Sequence, residues 1–214
     1  MRPSAKTRFA LVGFGHWGPN HARLIAQHPR CELVLCVEHD AERLNEARRL
    51  YPHLHAYNNL SEALAAHAHN AHPTHNTQHI DAVIIATPTS THAPLVQQAL
   101  AAGCHVLCEK PLSLSASECL QLQAQAKRQG KVLMVDHTFL FNGGIQALKA
   151  QCKQLGQLYY LTSTRTNLGP IRQDVGALAD LATHDIAVFN WLLEAMPRQV
   201  SACGHRFLPH AHED

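Results

Sequence analysis

The sequence predicts an α/β fold: an N-terminal, doubly wound parallel sheet followed by a second, truncated α+β domain with an open sheet. Three observations carry this expectation. Short apolar runs alternate with helical patterns from residue 9 to residue 137, the rhythm of βα units. The runs are almost continuously apolar, as strands covered on both faces are. After about Asn142 the rhythm changes to a longer strand, a long helix and another strand.

Each element has its own signal. "FALVG" (Phe9–Gly13) reads as a buried strand ended by glycine, and the helical spacing of Trp17, Ala22, Leu24, Ile25 and His28 follows it. "CELVLCVEHD" (Cys31–Asp40) is a second strand ending in acid, and Leu44, Ala47 and Leu50 form one side of a helix over Ala41–Leu50. Ser61 opens a further helix. "HIDAVIIATP" is a strand stopped by Pro88. The helix Thr91–Gly103 has Pro94 in its first turn and glycine at its end. "CHVLCEKP" is the next strand. Ser115 stands three residues before Glu118, the spacing of a capping box, at the start of a helix that ends at Gly130. Lys131–His137 is the last strand of this series. Right-handed crossovers leave a doubly wound sheet as the natural topology. The expected domains are residues 1–138 and 139–214. In the second, strands are expected over residues 156–167 and 198–207, with a helix over 177–196 between them; two strands and a helix are too little for an independent sheet, so the chain reads as cut short.

Composition narrows the function classes. The chain has 214 residues, 46% apolar and 16% charged, with a formal net charge of +2. That is a globular composition. No cluster of Lys and Arg marks a nucleic-acid surface. Apolar runs are far shorter than the roughly 20 residues that span a bilayer, and no signal-peptide stretch opens the chain. A soluble, cytoplasmic protein without nucleic-acid or membrane partners is the expectation. The seven cysteines fit no zinc pattern and read as free thiols. Five histidines fall between His67 and His79; such a tract suits zinc or nickel, or is a polar surface loop, and no metal site is assigned.

"VGFGHWG" carries Gly13, Gly15 and Gly18 as GxGxxG between a strand and a helix, the Rossmann context in which this motif cradles a pyrophosphate. Gly13 allows the tight turn, Gly15 the approach of the phosphates, and Gly18 the packing of helix on strand. Phe14, His16 and Trp17 complete the loop as candidate cofactor contacts. Glu38 lies 20 residues past Gly18, where a carboxylate binds both ribose hydroxyls and repels a 2′-phosphate. That favours NAD over NADP; Arg43, close by, softens the preference. "CEKPLS" places Glu109, Lys110 and Pro111 at the mouth of a buried strand. They either do chemistry at the carboxyl end of the sheet or close a turn.

Together, "GFGHWG", "IIATPTSTH" (Ile84–His92), "EKPLS" (Glu109–Ser113), "VDHTFLFN" (Val135–Asn142) and "DLATHDI" (Asp180–Ile186) resemble the glucose–fructose oxidoreductase / inositol dehydrogenase superfamily of NAD(P)-dependent oxidoreductases, in order and in spacing. "NLGPIRQDV" (Asn167–Val175) and "ATHDIAVFNWLL" are similar to a narrower group. Those enzymes oxidise the 3-hydroxyl of UDP-linked N-acetylated amino sugars, often uronates, for surface polysaccharide. The resemblance implies a sugar or sugar-nucleotide dehydrogenase that forms a homo-oligomer at full length. It implies Lys110, Asp180 and His184 as catalytic residues, with Lys110 beside the nicotinamide and the reacting hydroxyl, and Glu109 positioning Lys110 or the nicotinamide ribose. Thr87, Pro88 and His92 match positions lining the nicotinamide half of the site, although a histidine opening a helix is equally a surface residue. Arg172 and Asp174 are candidate substrate contacts, or parts of an ordinary polar loop.

The chain also departs from that pattern. The narrower group reads "DVNALWDLAPHD" where this chain has "DVGALADLATHD", so Gly176, Ala179 and Thr183 replace Asn, Trp and Pro. Losing the tryptophan removes a large contact surface. Asp136 stands where relatives have glycine. A nucleotide-binding remnant without turnover, and a dehydrogenase of a free aldose or cyclitol, therefore stand as alternatives.

Overall fold

The computed structural model describes residues 6–67, 79–152, 154–166 and 174–207 of the chain. They fall into two compact units, Met1–Val135 and Asp136–Asp214.

The first unit is a six-stranded parallel sheet. Its strands are β1 (Thr7–Val12), β2 (Cys31–Val37), β3 (His55–Tyr57), β4 (Ala82–Ile85), β5 (His105–Cys108) and β6 (Leu133–Val135). They lie in the order β3-β2-β1-β4-β5-β6. Its helices are α1 (Gly18–Gln27), α2 (Ala41–Leu50), α3 (Leu60–Ala66), α4 (His92–Ala101) and α5 (Ala116–Arg128). The strand order reverses between β1 and β4, and a doubly wound sheet opens a crevice at the carboxyl ends of the strands there. All five strands expected from apolar runs form. The edge strand β3 was not expected, because three residues, "HAY", are too few to show a period.

Alternation along each strand divides the core between the two faces. Val83 and Ile85 of β4 join Ala10 and Val12 in one buried cluster, while Ile84 joins Leu11 and Phe14 in the other. The β1–β2 register shifts between Phe9 and Ala10, whose partners are Leu33 and Leu35. Val34 is the extra residue, so Val34 and Leu35 both reach the same cluster. Helix ends follow the local chemistry. Asp40 caps α2 by accepting from the Arg43 amide, Asn59 caps α3 from Glu62, and Ser115 caps α5 from Glu118, as its spacing predicts. Among the described residues no helix is long and apolar enough to cross a membrane.

The second unit departs from expectation. Residues 156–166 and 198–207 carry no β-ladder. A strand is completed by N–H···O=C bonds to a neighbour, and among the described residues neither segment has one. Tyr159, Tyr160 and Val200 consequently stand over 80% exposed, at 85%, 81% and 86%. The expected long helix is a π-turn (Leu178–Ala182) running into α7 (Thr183–Leu193) and stopping at Glu194 in a left-handed conformation, φ 53°. α7 packs on α6 (Gly143–Cys152) around Cys152, Val188 and Leu192. Lys149 of α6 donates to the Trp191 and Leu192 carbonyls and pairs with Glu194 at 2.6 Å, closing the end of α7.

Ile84, 1% exposed at the centre of the sheet, gives a direct test of this core. Ile84→Ala is expected to lower the unfolding free energy by about 2–5 kcal/mol in a urea titration. A loss under about 1 kcal/mol is incompatible with the packing described.

Candidate functional site

The glycine loop is shaped by backbone crowding. Gly13 has φ +93°, and a Cβ there would lie 2.5 Å from the Ala86 carbonyl oxygen. A Cβ on Gly18 would lie 2.3 Å from the Gly13 carbonyl oxygen. Both positions require glycine, and the loop is pressed against the start of α1 and the exit of β4. Gly15 differs: the nearest atom to its Cβ position is the Arg43 guanidinium, at 3.6 Å. That side of the loop is open to a ligand. No side chain caps the start of α1; Pro19 carries no N–H there and the Asn20 and His21 amides donate to the Trp17 carbonyl, which leaves the Gly18 amide to face an anion.

Glu38 stands beside this loop, 4% exposed. One carboxylate oxygen accepts from the Phe14 amide at 2.7 Å; the other accepts from the Asp40 amide at 3.0 Å, with His39 Nδ1 also 3.0 Å away. A buried carboxylate must be hydrogen-bonded, and these bonds fix it at the mouth of β2. A cavity of about 860 Å³ opens here, walled by Gly13, Gly15, Glu38, Arg43, Thr87 and Pro88. That is the size range of small-molecule and cofactor sites. These residues fit a dinucleotide: an open glycine turn, an uncapped helix start and a held carboxylate. Of the other loop residues, Phe14 is 2% exposed and packs into the core, presenting only its amide, while His16 and Trp17 face solvent.

The β4 exit folds back on itself, since the Thr91 hydroxyl lies 2.7 Å from both the Thr87 hydroxyl and the Pro88 carbonyl. His92 is not a surface residue of the helix start. It is 1% exposed and absent from the cavity wall. Its Nδ1 lies 2.7 Å from the Pro111 carbonyl oxygen and its Nε2 2.9 Å from that of Thr87. The ring ties the β4 and β5 exits together because the first residue of α4 points under both loops. Lys110 is half-buried at the end of β5, followed by a cis Lys110–Pro111 bond. Its neighbour Glu109 meets His21 of α1, Nε2 to Oε1, at 3.0 Å. His21 was missed. Its signal was a histidine three residues past Gly18, in the first turn of the helix that the loop opens.

The buried thiols are held as thiols. Burial pushes Cys36 up to about 12 and Cys104 up to about 11; Cys108 is pushed up further by the same cause. All the cysteines are free, as expected. Of the histidine tract, residues 68–78 lie outside the described residues.

In the second unit Asp180 sits within the π-turn and His184 in the first turn of α7, both half-buried. Such turns recur at functional sites. His184 lies against the Phe139 ring at 4.6 Å between centroids. The next residue, Asp185, is bidentate with Arg165 at 2.8 and 2.9 Å and accepts from the Ser163 hydroxyl. The Arg165 hydrogen bonds hold the Asp185 carboxyl below the usual carboxylate range, against the opposing push of burial. Asp174 is half-buried in the same unit. Arg172 lies outside the described residues.

A family model for oxidoreductases with an NAD-binding Rossmann fold matches residues 7–137. The UDP-N-acetylglucosamine 3-dehydrogenase of Acidithiobacillus ferrooxidans is 31% identical over 205 residues, covering 92% of this chain and 58% of that protein. GenD2 from gentamicin A biosynthesis, solved in complex with NAD, superposes with a TM-score of 0.84 at 28% identity, over 100% of this chain and 62% of that one. The WlbA dehydrogenase of Bordetella pertussis, solved with NADH and UDP-GlcNAcA, gives 0.73 at 28% identity, over 89% and 56%. The chain spans roughly half the length of the curated relatives it matches.

Two outcomes follow from this geometry. Gly18→Ala is expected to cost about 1–3 kcal/mol of stability in urea unfolding, since the Gly13 carbonyl has to move; an unchanged midpoint would contradict the contact. Asp185, its carboxyl held low, contributes stability above the ordinary aspartate range and loses it as pH falls through the lowered value. Asp185→Asn is thus expected to be the weaker protein at pH 7, by about 1 kcal/mol for a half-buried pair still partly screened by solvent. It should also lose less than wild type between pH 5 and pH 2; equal losses would remove the pair from the acid response.

Proposed function

The chain belongs to the oxidoreductase family with an NAD-binding Rossmann fold, and we propose that it oxidises a secondary hydroxyl of a sugar nucleotide, the 3-hydroxyl of a UDP-N-acetylated amino sugar or its uronate. The observation that carries this reading is the cavity beside the glycine loop, with Glu38 held at its wall. Two relatives, a UDP-N-acetylglucosamine 3-dehydrogenase and a dehydrogenase solved with UDP-GlcNAcA, suggest the substrate class.

Bound NAD supplies the hydride acceptor. The start of α1 and the open face of Gly15 receive its pyrophosphate. Glu38 accepts from the adenosine ribose hydroxyls and, as a buried anion, disfavours the 2′-phosphate of NADP. Arg43, also on the cavity wall, reduces that discrimination. Thr87 and Pro88 bound the cavity on the β4 side. Lys110 holds the reacting hydroxyl and takes up or relays its proton. Asp180, His184 and the segment bearing Arg172 and Asp174 bind and orient the sugar, with His184 as acid or base.

NADH formation from NAD and UDP-N-acetylglucosaminuronate, followed by near-UV absorbance, tests this directly. Lys110→Ala is expected to reduce turnover by about 100-fold or more while calorimetry shows NAD still bound. NADP is expected to bind about tenfold or more weakly than NAD. Undiminished turnover in Lys110→Ala removes the lysine from the chemistry. NAD binding without turnover on this or related sugars supports a binding protein instead.

A further inference from the structure

We propose that His21 is a positioning residue for Lys110, acting through Glu109; this rests on the role given to Lys110 above. The two side chains lie 88 residues apart in sequence, on α1 and at the exit of β5, yet meet at 3.0 Å with only 10% and 12% of their surface exposed. An ionised carboxylate only accepts, so Nε2 carries the proton and donates. In so dry a place the bond governs where Glu109 points, because a buried carboxylate deprived of its donor turns to another.

The backbone on either side of Lys110 is fixed in the same way. The Glu109 amide donates to the Ile85 carbonyl at 2.9 Å. On the other side, His92 holds the Pro111 carbonyl at 2.7 Å. Lys110 is therefore the residue between two buried histidine ties, one to the helix opened by the glycine loop and one to α4. The tie through His21 connects the helix start that receives the cofactor with the loop that carries the lysine. Without His21, the Glu109 carboxylate turns to another donor, and the loop that carries Lys110 loses its tie to α1.

The experiment compares wild type, His21→Leu, His21→Gln, Lys110→Ala and the His21→Leu/Lys110→Ala double variant. Each is titrated with NAD by calorimetry and assayed for NADH formation. Each is also acetylated with N-hydroxysuccinimidyl acetate, with peptide mass spectrometry giving the rate at Lys110 against Lys127 and Lys131. His21→Leu is expected to lower kcat about tenfold or more, with NAD affinity within about twofold. His21→Gln, whose amide nitrogen reaches as Nε2 does, should restore kcat to within about threefold. In the Lys110→Ala background the His21 substitution should change nothing further. Lys110 acetylation should change about threefold in His21→Leu as the Glu109 carboxylate turns, while Lys127 and Lys131 keep their rates.

Unchanged acetylation of Lys110, equal change at all three lysines, or an undiminished effect of His21→Leu in the Lys110→Ala background each overturns the proposal and leaves His21 a packing residue. Should His21→Leu not fold, Glu109→Gln carries the test. It removes the carboxylate that His21 holds, so Lys110 acetylation is expected to change about threefold against wild type while Lys127 and Lys131 keep their rates, and an unchanged rate there is equally fatal. The acetylation readout needs no turnover: a wild type that forms no NADH but shows the Lys110-specific change loses the proposed activity and keeps the His21 link.

Discussion

At the carboxyl end of the sheet three backbones are in contact. A methyl group on Gly18 would sit 2.3 Å from the Gly13 carbonyl, and one on Gly13 2.5 Å from the Ala86 carbonyl. Side chains are excluded there, so the turn after β1, the start of α1 and the exit of β4 meet main chain to main chain. The remaining geometry of the cleft depends on this approach. It brings the Phe14 amide within reach of Glu38 and leaves Gly15 as the loop glycine whose missing side chain opens toward the cavity.

Burial then sorts polar residues into those that bind and those that build. Glu38 and His92 are both almost fully buried. Glu38 borders the cavity and can exchange part of its hydrogen bonding with a ligand's hydroxyls. His92 has both ring nitrogens against main-chain carbonyls and serves the loops. The His21–Glu109 pair belongs with His92 by burial, and it adjoins Lys110 in the chain. The buried cysteines take no part, because desolvation disfavours their thiolates.

In the second unit the ordering is local. α6 and α7 share a small core, Lys149 closes the end of α7, and the Arg165–Asp185 fork fixes the turn next to His184. The extended segments carry exposed aromatic side chains. A β-sheet is made by pairing between segments distant in sequence, and β-propensity in "LYYLTSTRT" cannot supply a partner. The long helix was legible from its apolar residues; the π-turn at its start was not, since one extra residue in a turn leaves no compositional mark.

The sequence by itself determined the parallel α/β architecture, five of its six strands, the Ser115 cap of α5 and the glycine turn. Each of these rests on local chemistry: apolar runs, a side chain reaching an amide three residues on, a residue without Cβ. It also marked Glu38, which borders the cavity at the carboxyl end of β2. Only the tertiary structure decided that Phe14 offers an amide and not a ring, that His92 ties two loops beneath the cavity, and that His21 meets Glu109 across 88 residues of chain. Those outcomes depend on which buried donor lies next to which acceptor, and that is fixed by packing among elements far apart in the chain.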